Sequence, residues 1–396
     1  MSACLLNNLI LPYTYGDVPY FGNGTSKNAS YLTFDEGDDS CPNVGKATAS
    51  KIYTLKCGTG VSVTCQELSS ILVMTQEGEF LAKNIRDVVI SDFILQPHGY
   101  FSKYFEEEYC ENLGESLFYI VGLWYGRGER FYSSKPCVRF DTTKDYDICQ
   151  ILDSSSFVDS VEVHGNYKTY FLTKSVCAMT TDERFCKYFK LKDAYQFTKG
   201  VVDGCGYVYF GESHNTDLGV KFQEKSRFVT QVVQMVFQSL GVMSYCSEPY
   251  VTQLFNANMY CYDLRIRGKE SVGNFCKYFG FTNSFKNSLA VSLFNSIEKD
   301  DFVPSFVGTY LLKNHPELKD SLDNLDDAIC AFLQGKDGLS RSLLTALPCV
   351  DDTLIRYLKE GGVLSTVKNI SIATGFFKSQ SISLTNSTII NSYYIS

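Results

Sequence analysis

Two glycine-rich stretches carry the side chains whose chemistry has to be weighed first. One runs Phe118-Tyr119-Ile120-Val121-Gly122-Leu123-Trp124-Tyr125-Gly126-Arg127-Gly128, the other Phe197-Thr198-Lys199-Gly200-Val201-Val202-Asp203-Gly204-Cys205-Gly206. Just before its last glycine the first copy has Arg127 and the second has Cys205. A thiol beside a guanidinium would be more acidic than usual and therefore reactive. No histidine in either stretch offers a base partner, so drift is the simpler account of the two residues. Asp203 is the acid of the second stretch; by spacing it points elsewhere on the helix, and a structural hydrogen-bonding role is expected for it, with rescue of metal binding as the alternative. A zinc ribbon or finger is not indicated. None of the 15 cysteines forms a C-x-x-C pair, and His98, His164, His214 and His315 stand far apart.

The elements that must position these residues follow from spacing. In each stretch two glycines lie four residues apart, Gly122 and Gly126 in one and Gly200 and Gly204 in the other, so each pair shares one helix face and lets another helix approach closely. Two such helices would pack on each other. After the second stretch a helix is expected from Ser226, with Phe228, Val232, Met235, Val236 and Leu240 on one side and Gly241 as its stop. A strand follows in which Tyr260, Tyr262, Leu264 and Ile266 alternate with Cys261, Asp263, Arg265 and Arg267, then a short turn at Gly268-Lys269-Glu270 and a further apolar helix to Phe281. The pattern of glycine-bearing helix, strands and amphipathic helix appears twice between residues 106 and 285, which reads as an internal duplication.

The stretches Val121 to Gly128 and Gly200 to Val208 resemble the paired motifs of the LAGLIDADG homing endonucleases. The likeness is to the intein-derived branch, which includes the yeast mating-type-switching endonuclease and the vacuolar-ATPase intein. The resemblance implies an α+β fold in which two αββαββα halves meet through the paired helices, each helix delivering one acid to a shared metal site. Arg127 and Cys205 stand at those two acid positions. Phosphodiester hydrolysis by the two-metal route needs carboxylates around hard cations. Arginine repels Mg²⁺ and keeps its proton, and cysteine is a soft ligand. The expectation is a homing-endonuclease-like DNA-binding protein that does not cleave and holds no resident cofactor, with Mg²⁺ entering only if nuclease activity survives. Two alternatives stay open: an active site-specific double-strand endonuclease using other acids, and a protein or RNA interaction scaffold.

Residues 1–105 consist of short alternating runs, among them Lys51-Ile52-Tyr53-Thr54-Leu55, Val61-Ser62-Val63-Thr64, Ile71-Leu72-Val73-Met74 and Val88-Val89-Ile90, and predict an all-β domain. The stretch Val63 to Thr75 resembles an intein block whose histidine assists the first acyl shift; Ser69 stands in its place. The chain begins Met1-Ser2 and ends Tyr394-Ile395-Ser396 without the His-Asn that splicing uses, so a Hint-like domain without splicing is expected. Residues 286–396 are expected to be helical with terminal strands. A helix is predicted over Ser321–Leu333 with Gly335 as its stop, and a second one capped by Asp351 and running to Lys359. Pro348 breaks a third motif look-alike, Leu344 to Asp352, that ends in two acids.

The chain has 396 residues, enough for two or three domains, and a formal net charge of -8 that argues against indiscriminate nucleic-acid binding. A basic set in the second half, Lys199, Lys221, Arg227, Arg265, Arg267 and Lys269, offers contacts to phosphates or base edges of double-stranded DNA; neighbouring acids largely offset it. The N-terminal apolar stretch is too short for a signal peptide or membrane span. The expected protein is an intracellular monomer of nucleus or cytoplasm, with no membrane association and with a protein partner left open.

Overall fold

The computed structural model describes residues 2–6, 9–15, 18–22, 29–31, 42–44, 48–67, 69–96, 98–129, 135–181, 188–210, 216–223, 227–247, 250–254, 257–297, 302–348, 352–359, 362–377, 379–383 and 393–394. Strands β1 (Ser2–Leu6), β2 (Leu9–Tyr15), β3 (Val18–Gly22), β4 (Ala29–Tyr31) and β5 (Pro42–Val44) come first, then β6 (Thr48–Cys57), β7 (Ser62–Gln66), β8 (Ser70–Met74), β9 (Phe80–Asn84) and β10 (Phe93–Gln96). The run Ile71–Met74 is apolar throughout because both faces of β8 are covered. Ile71 and Val73 join a buried cluster with Tyr53, Leu55 and Ile94, while Leu72 and Met74 join another that includes Leu333 and Leu354 from the C-terminal helices. The strand expected at Val88-Val89-Ile90 is absent. Asn84 accepts the amide of Arg86 and starts a 3-10 turn over Ile85–Asp87. Asp92 then accepts the amide of Val89 at 3.0 Å, leaving Val89 and Ile90 exposed.

The central region repeats one order of elements. The first half is α1 (Leu117–Arg127), β11 (Gly128–Glu129), β12 (Cys137–Asp141), α2 (Tyr146–Asp153), β13 (Val158–His164), β14 (Tyr167–Leu172) and α3 (Lys174–Thr181). After β15 (Tyr188–Lys190) come α4 (Leu191–Cys205), β16 (Gly206–Phe210), β17 (Thr216–Gln223), α5 (Arg227–Ser239), β18 (Ser244–Cys246), β19 (Tyr250–Leu254), β20 (Ala257–Ile266) and α6 (Lys269–Asn274), which continues as a π-helical turn to Phe279. The sheets have matching orders, β11-β12-β14-β13 and β16-β17-β20-β18, with β19 added as a hairpin on β20. The chain is thus α+β, with the αββαββα order present twice.

The remaining elements are α7 (Ser284–Ser296), β21 (Phe302–Val303), α8 (Ser305–Asn314), α9 (Leu318–Ser321), α10 (Asp327–Leu333), β22 (Leu339–Ser340), α11 (Thr353–Lys359), β23 (Val363–Phe377), β24 (Ser379–Ser383) and β25 (Tyr393–Tyr394). The single helix expected over Ser321–Leu333 is split by a 3-10 turn at Leu322–Asn324, because Asp326 caps a fresh start by accepting the amide of Ala328 at 2.9 Å. Asp352 accepts the amide of Ile355 at 3.1 Å at the start of α11; Asp351, the cap expected from the sequence, lies outside the described residues.

Strand β23 lies inside a six-stranded sheet whose order is β7-β6-β23-β10-β8-β9. Ala373 pairs with Ile52 and Thr366 with Phe93. Residues from 1–105 and from 286–396 therefore share one sheet, although the sequence reads them as separate segments. Among the described residues no helix is long and apolar enough to cross a membrane.

Candidate functional site

The contact between α1 and α4 is the most extensive between any two described elements. Sequence explains why it closes so tightly. A Cβ on Gly122 would lie 2.1 Å from the carbonyl oxygen of Phe197, and one on Gly200 would lie 2.1 Å from that of Tyr119. One turn on, Gly126 and Gly204 face each other: a Cβ on either would come within 2.9 to 3.0 Å of the other's Cα. Only hydrogen at these positions allows backbone to meet backbone. At the other end Ser116 caps α1 and its hydroxyl also donates to Gln196 of α4 at 2.7 Å. Both helices finish alike, with Gly128 and Gly206 in extended conformation leading straight into a strand.

Arg127 and Cys205 are the last residues of the two helices. The Arg127 guanidinium pairs with Asp145 at 3.4 Å and lies over the Phe140 ring at 5.0 Å. The Cys205 thiol donates to the carbonyl of Val201, one turn back, at 3.3 Å.

Asp203 is enclosed. Its carboxylate accepts from Lys199 Nζ at 2.8 and 2.9 Å, from the Tyr119 hydroxyl at 2.9 Å, and from the Thr282 amide and hydroxyl at 2.8 and 2.6 Å. Burial, reinforced by Asp203, holds the Tyr119 phenol well above its ordinary range, so it stays a donor. The Lys199–Asp203 pair is therefore a buried, fully hydrogen-bonded ion pair binding α4 to α1 and to the segment before α7. Lys199 does not belong among the nucleic-acid contacts: its ammonium is spent inside the protein.

Lys286 was not singled out by any spacing in the sequence. Its Nζ donates to the carbonyl of Gly206, the residue that ends α4, at 3.0 Å. Burial, with Arg127 pushing the same way, lowers its pKa, while Asp145, Asp203 and Cys205 oppose the shift. A cation thus stands at the C-terminal end of each helix, Arg127 within the last turn of α1 and Lys286 on the carbonyl that follows α4, which suits the negative end of a helix dipole.

The remaining basic residues fall in two places. In the second sheet Gly219 pairs with Arg265 and Lys221 with Asp263, so Lys221 and Arg265 lie on the same face. The opposite face holds buried Val220, Leu264 and Ile266. Arg267 is exposed just past the end of β20. Lys269 opens α6, apart from this face. Arg227 begins α5, but its side chain lies outside the described residues. The sheet of the first half, β11-β12-β14-β13, contributes Arg139, exposed and stacked over Tyr167 at 4.6 Å, which the sequence reading missed. Among the described residues no group of three or more His, Cys, Asp or Glu side chains is placed to hold a metal ion.

No profile of a known protein family matches the chain, and no curated protein matches it either. Solved structures do. A variant of I-DmoI in complex with its target DNA is 16% identical, over 45% of this chain and 100% of that one, with a TM-score of 0.28. I-DmoI in complex with DNA and Mn is 12% identical, over 42% of this chain and 97% of that one, with a TM-score of 0.28. A variant of I-SmaMI is 12% identical over 56% of this chain and 97% of that one, with a TM-score of 0.21. These TM-scores are low, and the functional reading rests on the chain's own residues.

Proposed function

We propose that the chain is a homing-endonuclease-like, double-stranded-DNA-binding protein of the intein-derived LAGLIDADG branch that neither cleaves nor splices. The observation that carries this reading is the state of the motif positions at the crossing helix ends. A pair of Mg²⁺ ions would need carboxylates there. The residues present are a guanidinium, a thiol bonded back into its own helix and Asp145, which already faces Arg127. Asp203 is committed to Lys199, Tyr119 and Thr282. This donor set does not fit a hard divalent cation, and no hydrolytic step is derived from it. Ser69, in the place where the resemblance puts the histidine of the first acyl shift, is buried and offers no imidazole.

Binding itself is assigned to Lys221, Arg265 and Arg267 on and beside the second sheet, acting in a monomer of the nucleus or cytoplasm. Selection of bound duplexes from a random pool, with cleavage assayed on the same pool in Mg²⁺ and in Mn²⁺, tests both halves of the reading. Salt-sensitive retention without strand breaks is expected. Metal-dependent breaks would identify an active endonuclease, and absence of any retained duplex would favour a protein or RNA scaffold.

A further inference from the structure

The open face of the second sheet carries a carboxylate that the basic reading of that face leaves unexplained. Asp263 is buried in the middle of it. Its Oδ1 accepts the hydroxyl of Tyr250 at 2.9 Å, and its Oδ2 faces the Arg265 guanidinium at 3.6 Å. Its backbone is fastened on both sides by Ser247, whose hydroxyl accepts the Asp263 amide at 2.9 Å and whose own amide donates to the Asp263 carbonyl at 2.8 Å. The Tyr250 ring in turn lies under Lys221 Nζ at 5.5 Å. Burial first, and Asp263 second, keep the Tyr250 phenol protonated and donating.

We propose that Asp263 is the positioning residue of a base-reading cluster, holding the Arg265 guanidinium in a fixed fork for the guanine edge of a duplex, while Lys221 serves as a phosphate contact. The proposal rests on the duplex-binding reading above. The two oxygens of Asp263 have separate partners, one anchoring the carboxylate to Tyr250 and the other facing Arg265. A guanidinium held from one side keeps its remaining donors in a defined plane, which is what bidentate recognition of guanine O6 and N7 requires. Arg265 Nε is enclosed and has no hydrogen-bond partner among the described residues, so rotation of the fork about its stem is restricted without its donors being exhausted. Lys221 presents a point charge on a flexible stem over an aromatic face, which suits a phosphate and carries no base information.

The test measures selected-duplex binding by the full chain as a function of sequence and salt. Asp263→Asn keeps the shape of the side chain and an acceptor for Tyr250, and removes the charge facing Arg265. Its preference for guanine at one position is expected to fall about tenfold or more, with the salt slope kept. Arg265→Ala should lose the same preference, and the double variant should lose no more than Arg265→Ala alone. Lys221→Ala should weaken all duplexes about equally and reduce the salt slope by about one. Losses that add in the double variant, or a parental preference in Asp263→Asn, would overturn the positioning role while leaving duplex binding intact. Failure of the parent to bind any duplex in a salt-sensitive way would overturn both. Equal thermal unfolding of Asp263→Asn and parent separates positioning from folding. If that variant is unstable, Tyr250→Phe, which frees one side of Asp263, is expected to give a smaller loss of the same preference, and an unchanged preference in it overturns the role.

Discussion

The hydroxyl of Tyr119 on α1 donates to the carboxylate of Asp203 on α4 at 2.9 Å, inside a network that Lys199 and Thr282 complete. An acid at a motif position is thereby a tie between two helices. Removing it leaves a buried ammonium without its partner, so Asp203→Ala is expected to cost about 3 to 5 kcal/mol. Replacing both members of the pair by apolar residues should cost much less. Urea unfolding of the single and double variants checks this, and an Asp203 variant as stable as the parent would return the carboxylate to the list of candidate ligands.

Gly200→Ala places a methyl group 2.1 Å from the Tyr119 carbonyl oxygen, a rigid backbone neighbour. The helices would have to separate along their whole crossing, and a loss of about 2 kcal/mol or more is expected. Gly204→Ala, with its nearest atom at 3.0 Å, should lose less. Thermal unfolding of the two variants gives the order, and equal losses would mean that the crossing adjusts evenly.

Arg127 stands in the last turn of α1 and Lys286 donates to the carbonyl of Gly206 at the end of α4, so each crossing helix end already has a cation of the chain's own. The parent should therefore unfold at the same temperature in EDTA and in Mg²⁺. The double variant Arg127→Asp with Cys205→Asp restores two carboxylates at those ends. It is expected to become metal-responsive, gaining about 1.4 kcal/mol when free Mn²⁺ exceeds its dissociation constant tenfold. A double variant indifferent to metal would mean that more than these two positions has been lost.

Much of this is legible in the amino-acid sequence itself. The four glycines, the repeated element order and the alternation around Leu264 are periodic signals, and periodicity is what a helix face or a strand face imposes. The roles of single residues were less legible. Lys199 looked like a surface cation because nothing local reveals that its ammonium donates to the hydroxyl of Thr282, eighty-three positions away. Lys286 and Asp263 became visible only through partners brought in by the fold. Val88-Val89-Ile90 misled because Asn84 and Asp92 satisfy the backbone through side chains, which overrides strand propensity.

His98 is buried beside Arg341, and burial first, then that charge, lowers its pKa to about 3. An unfolded chain takes up the proton near the ordinary value of about 6.5, so between there and about 3 the unfolded state binds more protons. Stability should be full above that window and fall by up to about 1.4 kcal/mol per pH unit as acid is added through it. His98→Gln should flatten this part of the profile. Urea midpoints at several pH values for both proteins decide it, and parallel profiles would assign the acid sensitivity to carboxylates instead.

Strand β23 sits between β6 and β10 and joins two groups of strands that otherwise have no neighbour in common. During synthesis the early strands leave the ribosome long before their central partner exists, and some three hundred residues of intervening chain must be accommodated first. Nascent chains of this protein are thus obliged to carry open edges on β6 and β10 until residues 363–377 have been made. A stop codon before residue 363 would separate β6 and β7 from β8, β9 and β10 by removing the one strand that joins them.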